Sequence, residues 1–510
     1  MKQYFSKENF PLITIGILTI LQQGRVIWSH GFKFTGGDQT VLWQIARDLS
    51  EGSFYEPYFY GQNYNFPLES WIVAPLLKLG IPIWILFPLI TSFLFLLPFF
   101  LLGYYFLKNK NTFGALICIG MPLLMQIEFN IISGLSRGFA TGMFAAGFLA
   151  FFINQSKNRD FVLFGFFSVL ALALNPNSVV FVAPLGFYYL LHNWTSLKFY
   201  PFLFLGALPP LAGKFLADKF YEDHPEYLLH TLWGNEFSIV ALKDGFLEMS
   251  RIFQYSMPVI WNFDGLVLLI LLASAIILFK QQKPKEAWST LVAFVILIIA
   301  LGIPKVHDDV GSIFLNTTRM WLALPLCMAL VAGWLSQNRT IVKRQEYLLL
   351  IALASFFIYK QVNFRAVLDY ETAKRNYGPV AIIPIEKLRD KCLEIKQLAE
   401  QHKVTLVALN PNWDYPIPEL EMVAYGCSSL VEEFPRAIMG DYERRRWGHG
   451  DLYDYSHSKI MIVGWNPDKL KHVNYASTNK ISESPRIYIM NLEKTETRAI
   501  FDLLNGTPID

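Results

Sequence analysis

Asp38 and Glu69 stand at the two ends of one polar, aromatic stretch, Gly36-Gly37-Asp38-Gln39 through Gly61-Gln62-Asn63-Tyr64-Asn65-Phe66-Pro67-Leu68-Glu69-Ser70. Each lies where an apolar segment meets a polar one, and ionisable groups that close to hydrocarbon are kept for function. A carboxylate there can act as a general base. Gly36 and Gly37 let the backbone bring the short Asp38 side chain close to a substrate. Gln62, Asn63 and Tyr64 add amide and phenol groups that can bind a polar substrate. Cations at other segment ends complement these acids: Arg319 first, with Arg137, Lys305 and His307 behind it. An Arg fork suits an oxyanion on which charge develops.

Each of these residues also has a plainer role. Asp38 can cap a short amphipathic helix over residues 39–49, and Glu69 can cap the helix carrying Trp71 and Ile72 or pair with a lysine. Arg319 can snorkel to headgroups. Tyr55, Tyr58, Phe59, Tyr60 and Tyr64 read as an interfacial aromatic belt, with a sugar-stacking platform as the alternative. His307-Asp308-Asp309 invites a metal reading, yet three adjacent residues cannot all face one ion. Asp308 and Asp309 would need Asp38 or Glu69 beside them, and oxygen ligands of that kind suit a hard divalent cation. The cofactor expectation is therefore none, with a divalent cation as the alternative.

The elements that position these residues are read from composition. The chain is 53% hydrophobic and only 17% charged, with a mean hydropathy of +0.32, the pattern of a polytopic membrane protein. A net charge of +3 points to no nucleic-acid partner. The first apolar run carries no small-residue cleavage site and reads as an uncleaved span. With about 20 apolar residues needed per span, segments fall near 10–29, 82–107, 112–128, 138–153, 161–175, 177–192, 198–216, 264–280, 287–303, 319–336 and 345–361. Asn175-Pro176-Asn177 reads as a tight turn between two of them.

Lys2 and Lys7, Lys108 and Lys110, Lys157 and Arg159, Lys198, Lys280, Lys283 and Lys285, and Arg339, Lys343 and Arg344 fall in alternate loops. The positive-inside rule makes that side cytoplasmic, with the N-terminus inside and the C-terminus outside. The opposite side collects the acidic first loop (30–81), Arg137, the 217–263 loop and the approach to Arg319. Spans this uniformly apolar argue against a solute pathway through their centres and for an enzyme at the outer surface. In the 217–263 loop, Leu228, Leu229, Leu232, Trp233, Phe237, Ile239 and Val240 are spaced for an interfacial amphipathic helix acting as a lid, with Glu222, Asp223 and His224 either a solvated face or ligands.

Past residue 362 the composition changes. Residues 386–401 read as a charged helix, and 404–409, 459–463 and 486–490 as short buried strands. Residues 362–510 are thus expected to form an extracytoplasmic α/β domain with its own core and a role in acceptor recognition, and 1–361 the transmembrane domain. Arg444-Arg445-Arg446 reads as a surface patch near headgroups. Cys392 and Cys427 can pair if that side is oxidising, or remain two thiols.

A first span, an early Gly-Gly-Asp, Tyr60-Gly61-Gln62-Asn63-Tyr64 and Leu68-Glu69 before the next apolar run resemble the polytopic GT-C glycosyltransferases. The likeness is nearest to the bacterial protein O-mannosyltransferase and aminoarabinose-transferase group, and Thr317-Thr318-Arg319-Met320-Trp321-Leu322-Ala323-Leu324-Pro325 is similar to its Arg-aromatic-Leu-Pro pattern. The eleven apolar segments are read as about eleven transmembrane helices, and the resemblance implies a bacterial cell-membrane location and a polyprenyl-phosphate sugar donor. It further implies transfer on the outer face to a glycan, lipid or protein acceptor, with the first-loop aspartate, Asp38, as base. A polyprenyl-glycan ligase or polymerase is the neighbouring reading, and a lipid or solute transporter the more distant one.

Overall fold

The computed structural model describes the chain apart from residues 1–9, 226, 228, 230–235, 259–265, 308–316, 338–342, 374–381, 410–418, 440–455, 464–476, 484–485, 497–499 and 501–510. Its helices follow the hydropathy. α1 (Phe10–Val26) is followed by β1 (Phe34–Gly36), α2 (Gly37–Ser50) and α3 (Leu68–Leu77) in the first loop. Then come α4 (Ile83–Lys108), α5 (Thr112–Leu124), α6 (Ile127–Ser133), α7 (Thr141–Gly147), α8 (Asn158–Leu174), α9 (Val179–Asn193) and α10 (Phe199–Asp223). α11 (Ile239–Leu247) and α12 (Met249–Ile252) precede α13 (Leu266–Lys280), α14 (Pro284–Leu301), α15 (Leu324–Ser336) and α16 (Lys343–Ala373).

Every expected apolar segment carries a helix. Among the described residues, five helices are long and apolar enough to cross a membrane, the ones beginning at Phe10, Ile83, Phe199, Pro284 and Lys343. Several others are short because proline or a cap stops them. Pro122 lies near the end of α5, and the Asn111 side chain accepts from Gly114 N at 2.9 Å to fix its start. Two boundaries differ from the sequence reading. α10 runs on through Asp223, past the apolar run expected to end near 216, and the described helices beyond are α11 and α12; residues 228 and 230–235 of the expected interfacial helix lie outside the described residues. α16 runs to Ala373, past the composition change.

The spans are also less uniformly apolar than hydropathy suggests. Gln22, Gln23 and Lys360 are buried. Gln23 donates to Ser92 Oγ at 3.0 Å, Gln361 to Gln22 at 2.9 Å, and Lys360 Nζ to Pro122 O at 2.9 Å and Asn130 Oδ1 at 2.6 Å. Lys360 satisfies a carbonyl at the α5 C-terminus that no helical N–H can reach. Lys283, expected in a basic loop, is buried with Nζ on Trp334 O and Gln337 O, closing the end of α15 in the same way.

Beyond α16, β2 (Ile382–Pro384) leads into α17 (Ile385–His402), β3 (Leu406–Leu409), α18 (Glu419–Leu430), β4 (Arg436–Met439), β5 (Ser456–Val463), β6 (Ser477–Glu483) and β7 (Arg486–Glu496). The sheet order is β4-β3-β5-β7-β6, with β3 parallel to β4 and β5 and the β5–β7–β6 pairs antiparallel. β4 and β6 escaped the sequence reading because neither is a continuous apolar run. Cys392 and Cys427 form a disulfide tying α17 to α18.

This unit does not keep its core to itself. Val41, Leu42, Trp43 and Ala46 of α2 share one cluster with Ile385, Leu388, Met422 and Tyr425. β1 pairs antiparallel with β2, Gly36 opposite Ile382, so the strand that feeds Asp38 into α2 is half of a ladder completed from the far end of the chain. A Cβ at Gly426 would meet Thr40 Cγ2 at 2.8 Å, which is how closely α18 approaches α2.

The basic-loop asymmetry yields a test of orientation. Single cysteines at the exposed positions Lys110 and Glu432 are expected to react with a membrane-impermeant maleimide from opposite faces, Glu432→Cys from outside. Labelling of both from one face would reverse the orientation.

Candidate functional site

Asp38 lies in the first turn of α2. Gly36, not Asp38, occupies the cap position, with extended backbone (φ −140°) that any residue adopts, and no side chain caps the helix. The capping role therefore falls away. The carboxylate instead faces Arg137, with Nε at 3.2 Å from Oδ2; Asp38 is 33% exposed and Arg137 only 2%. A partly solvated carboxylate is thus paired with a guanidinium sunk in protein, a pairing distant in sequence that no local pattern predicts.

Glu69 holds the turn that presents Arg137. It is fully buried in the first turn of α3, its Oε1 accepting from Thr91 Oγ1 at 2.9 Å and its Oε2 from Gly138 N at 2.8 Å. Among the described residues neither a lysine nor a cap of its own helix engages it. Thr91 also bonds Ser136 Oγ at 2.6 Å, and Asn65 donates to Arg137 O at 3.1 Å. Gly138 has φ +76°, and a Cβ there would stand 2.1 Å from Asn65 Oδ1, so both the backbone and the space require glycine. The bonds of Glu69 to Gly138 N–H and Thr91, with Thr91 also on Ser136, fix residues 136–138.

The Asn175-Pro176-Asn177 turn does more than end a helix. Asn175 Nδ2 donates to Gly138 O at 3.3 Å, while Asn177 Nδ2 donates to Phe139 O at 2.9 Å and to Arg319 O at 3.3 Å. Arg319, in a buried 3₁₀ turn at Thr317–Trp321, lies over the Phe139 ring at 5.4 Å. Arg137 and Arg319 are thereby carried on segments stitched together by one asparagine, and Arg319 is held inside protein instead of snorkelling.

The other expected residues are placed differently. Lys305 Nζ lies 3.4 Å from the centre of the Tyr64 ring, joining the first loop to the segment after α14. Gln62, Asn63 and Tyr64 follow a 3₁₀ turn at Phe59–Gly61 and are half-buried. The His307 ring bonds Leu301 O at 2.8 Å through Nε2 and so closes α14. Asp308 and Asp309 lie outside the described residues, as do Arg444, Arg445 and Arg446. Among the described residues no three His, Cys, Asp or Glu side chains cluster to hold a metal.

The aromatic belt is also corrected, because Tyr58 and Phe59 are buried. Tyr58 stacks on Tyr221 of α10 at 5.4 Å, its hydroxyl 2.6 Å from Asp218 Oδ1, and Asp218 pairs with Lys214 at 2.8 Å. Tyr221 in turn donates to Glu56 Oε2 at 2.7 Å. Lys214, Asp218 and Tyr221 share one face of α10, so the first loop is latched to that helix. Burial pushes the Glu56 carboxyl up to about 8, against the opposing effect of the Tyr221 hydrogen bond.

No family model matches this sequence, and no curated protein sequence matches it. Among solved structures, the crystal structure of ArnT from Cupriavidus metallidurans bound to undecaprenyl phosphate matches with a TM-score of 0.52 at 11% identity, covering 95% of this chain and 98% of that one. The chain has the ArnT fold. The resemblance read from the sequence is borne out at the level of the fold.

Two outcomes follow from the local geometry. Gly138→Ala is expected to lower stability by about 1–3 kcal/mol or more, since it combines a strained φ with a clash; an unchanged melting temperature in detergent would contradict the packing described. Glu56 titrates higher folded than unfolded, so its contribution is full below the ordinary carboxylate range and is lost as pH rises through about 8. Thermal melts from pH 5 to 9 are expected to decline over that range, and Glu56→Gln to flatten the decline.

Proposed function

We propose that this chain is a membrane-embedded glycosyltransferase that moves a sugar from a polyprenyl-phosphate donor to a hydroxyl acceptor at the outer face of the membrane. The observation that carries the reading is the Asp38–Arg137 pair at 3.2 Å, in a chain with the fold of a protein crystallised with undecaprenyl phosphate. Such a transfer needs a base for the acceptor proton and a cation for the departing phosphate within reach of one another, and the pair supplies both.

In this reading the acceptor oxygen attacks the anomeric carbon, its proton passes to the Asp38 carboxylate, and the sugar–phosphate bond breaks with its electrons remaining on the phosphate. Arg137, and Arg319 on its stitched neighbouring segment, stabilise that growing charge. A guanidinium held in a low-dielectric setting acts more strongly than one in water. Glu69 is a positioning residue that sets the Arg137 turn. The Cys392–Cys427 disulfide supports an oxidising, extracytoplasmic side for the C-terminal unit. The acceptor is a glycan, a lipid or a protein.

Asp38→Asn preserves size and helix-start polarity but removes the base, so transfer is expected to fall by roughly 10²–10⁴ while undecaprenyl phosphate still binds. Arg319→Lys is expected to lose activity as well, because a point charge does not replace the planar fork. The readout is mass spectrometry of envelope glycans and glycolipids from cells carrying each variant. Near-normal products with Asp38→Asn would remove Asp38 from the base role.

A further inference from the structure

A small cavity is lined by Gln39 and Ser136, the chain neighbours of Asp38 and Arg137. It has a volume of about 20 Å³ and is bounded by His30, Thr35, Gln39, Trp43, Phe87 and Ser136, among others. That is room for one water-sized group, which needs about 10–15 Å³. Thr35, Gln39 and His30 are all more than nine-tenths buried. Thr35 Oγ1 and both amide atoms of Gln39 have no hydrogen-bond partner among the described residues. Three unmatched polar atoms at one buried spot are costly and rare in a folded chain. Sites that recognise a hydroxyl through buried hydrogen-bonding groups are built in this way.

We propose that this cavity receives one hydroxyl- or amine-sized substituent of the transferred sugar. The assignment rests on the glycosyl-transfer reading and follows from position. Gln39 follows Asp38, which faces the acceptor in that reading, and Ser136 precedes Arg137, which faces the phosphate. The group that is bonded to the phosphate and attacked by the acceptor is the sugar, so a pocket lined by the chain neighbours of both residues is assigned to it. The chemistry agrees. Gln39 donates through Nε2 and accepts through Oε1, and Thr35 can do either, as a sugar hydroxyl requires. Trp43 and Phe87 supply apolar walls. The same atoms make the pocket selective, because a sugar lacking the substituent would leave them unmatched.

Thr35→Val and Gln39→Leu test this directly. Each removes unmatched polar atoms with little change of shape, so the lipid-free proteins are expected to melt no lower than the parent. Native mass spectrometry in nanodiscs then compares two probes: undecaprenyl phosphate alone, and the sugar-bearing undecaprenyl phosphates extracted from the cell's own membranes. Both variants are expected to bind undecaprenyl phosphate like the parent and to lose at least tenfold in binding of the sugar-bearing lipids. Equal retention of both probes would make the cavity a water site only and overturn the proposal. Equal loss of both, or a fall in melting temperature, would make Thr35 and Gln39 structural and overturn it too. If the parent protein binds neither probe, the glycosyl-transfer reading fails, and this assignment with it.

Discussion

A guanidinium that is 2% exposed cannot be left to find its own place. Arg137 is held against Asp38 at 3.2 Å, and an ionised group so deep in protein is tolerated only where its backbone and partners are fixed. The surrounding structure meets that demand. Glu69 ties down Gly138, Asn65 and Asn175 hold the carbonyls of Arg137 and Gly138, and Thr91 links Glu69 to Ser136. The network draws on the first loop, on α4 and on the turn before α9, so three separate stretches of chain converge to place one side chain.

The same convergence explains why the C-terminal sheet is inseparable from the membrane part. α2 carries Asp38 on its first turn and buries its apolar face against α17 and α18. Without those helices, Leu42, Trp43 and Ala46 would face water, at a cost of roughly 25 cal/mol for each Å² exposed. β1 is likewise completed only by β2, and a three-residue strand has no stability alone. The Asp38 helix is therefore clamped from one side by Arg137 and the membrane helices, and from the other by residues more than three hundred positions later in the chain.

The polar groups of the membrane helices follow one rule. Lys360 and Lys283 each place an ammonium on carbonyls at a helix end, where a backbone shielded from water would otherwise lack partners. These cations serve the fold, whereas Arg137 faces the first-loop carboxylate Asp38 and Arg319 lies over Phe139, two residues on from Arg137. Burial alone does not distinguish the two kinds; the identity of the facing group does.

The sequence by itself determined the helices, because runs of apolar residues and the proline or asparagine that ends them are local facts: each of the apolar segments carries one. It also singled out Asp38 at the start of α2 and the arginines at span ends, since charge beside hydrocarbon is visible in one dimension. It did not reveal which cation Asp38 meets, nor that Glu69 is bound by Thr91 and Gly138 N, nor that Asn177 stitches two arginine segments together; as turn residues Asn175 and Asn177 gave no sign of partners. Tyr58, read as part of a belt, proved buried because α10 extends past the apolar run to receive it. Only the tertiary structure decided these points. Hydropathy and propensity sum over neighbours in the chain, whereas an ion pair, a buried hydrogen bond or a ring stack depends on which distant residues the packing brings within about 3–6 Å.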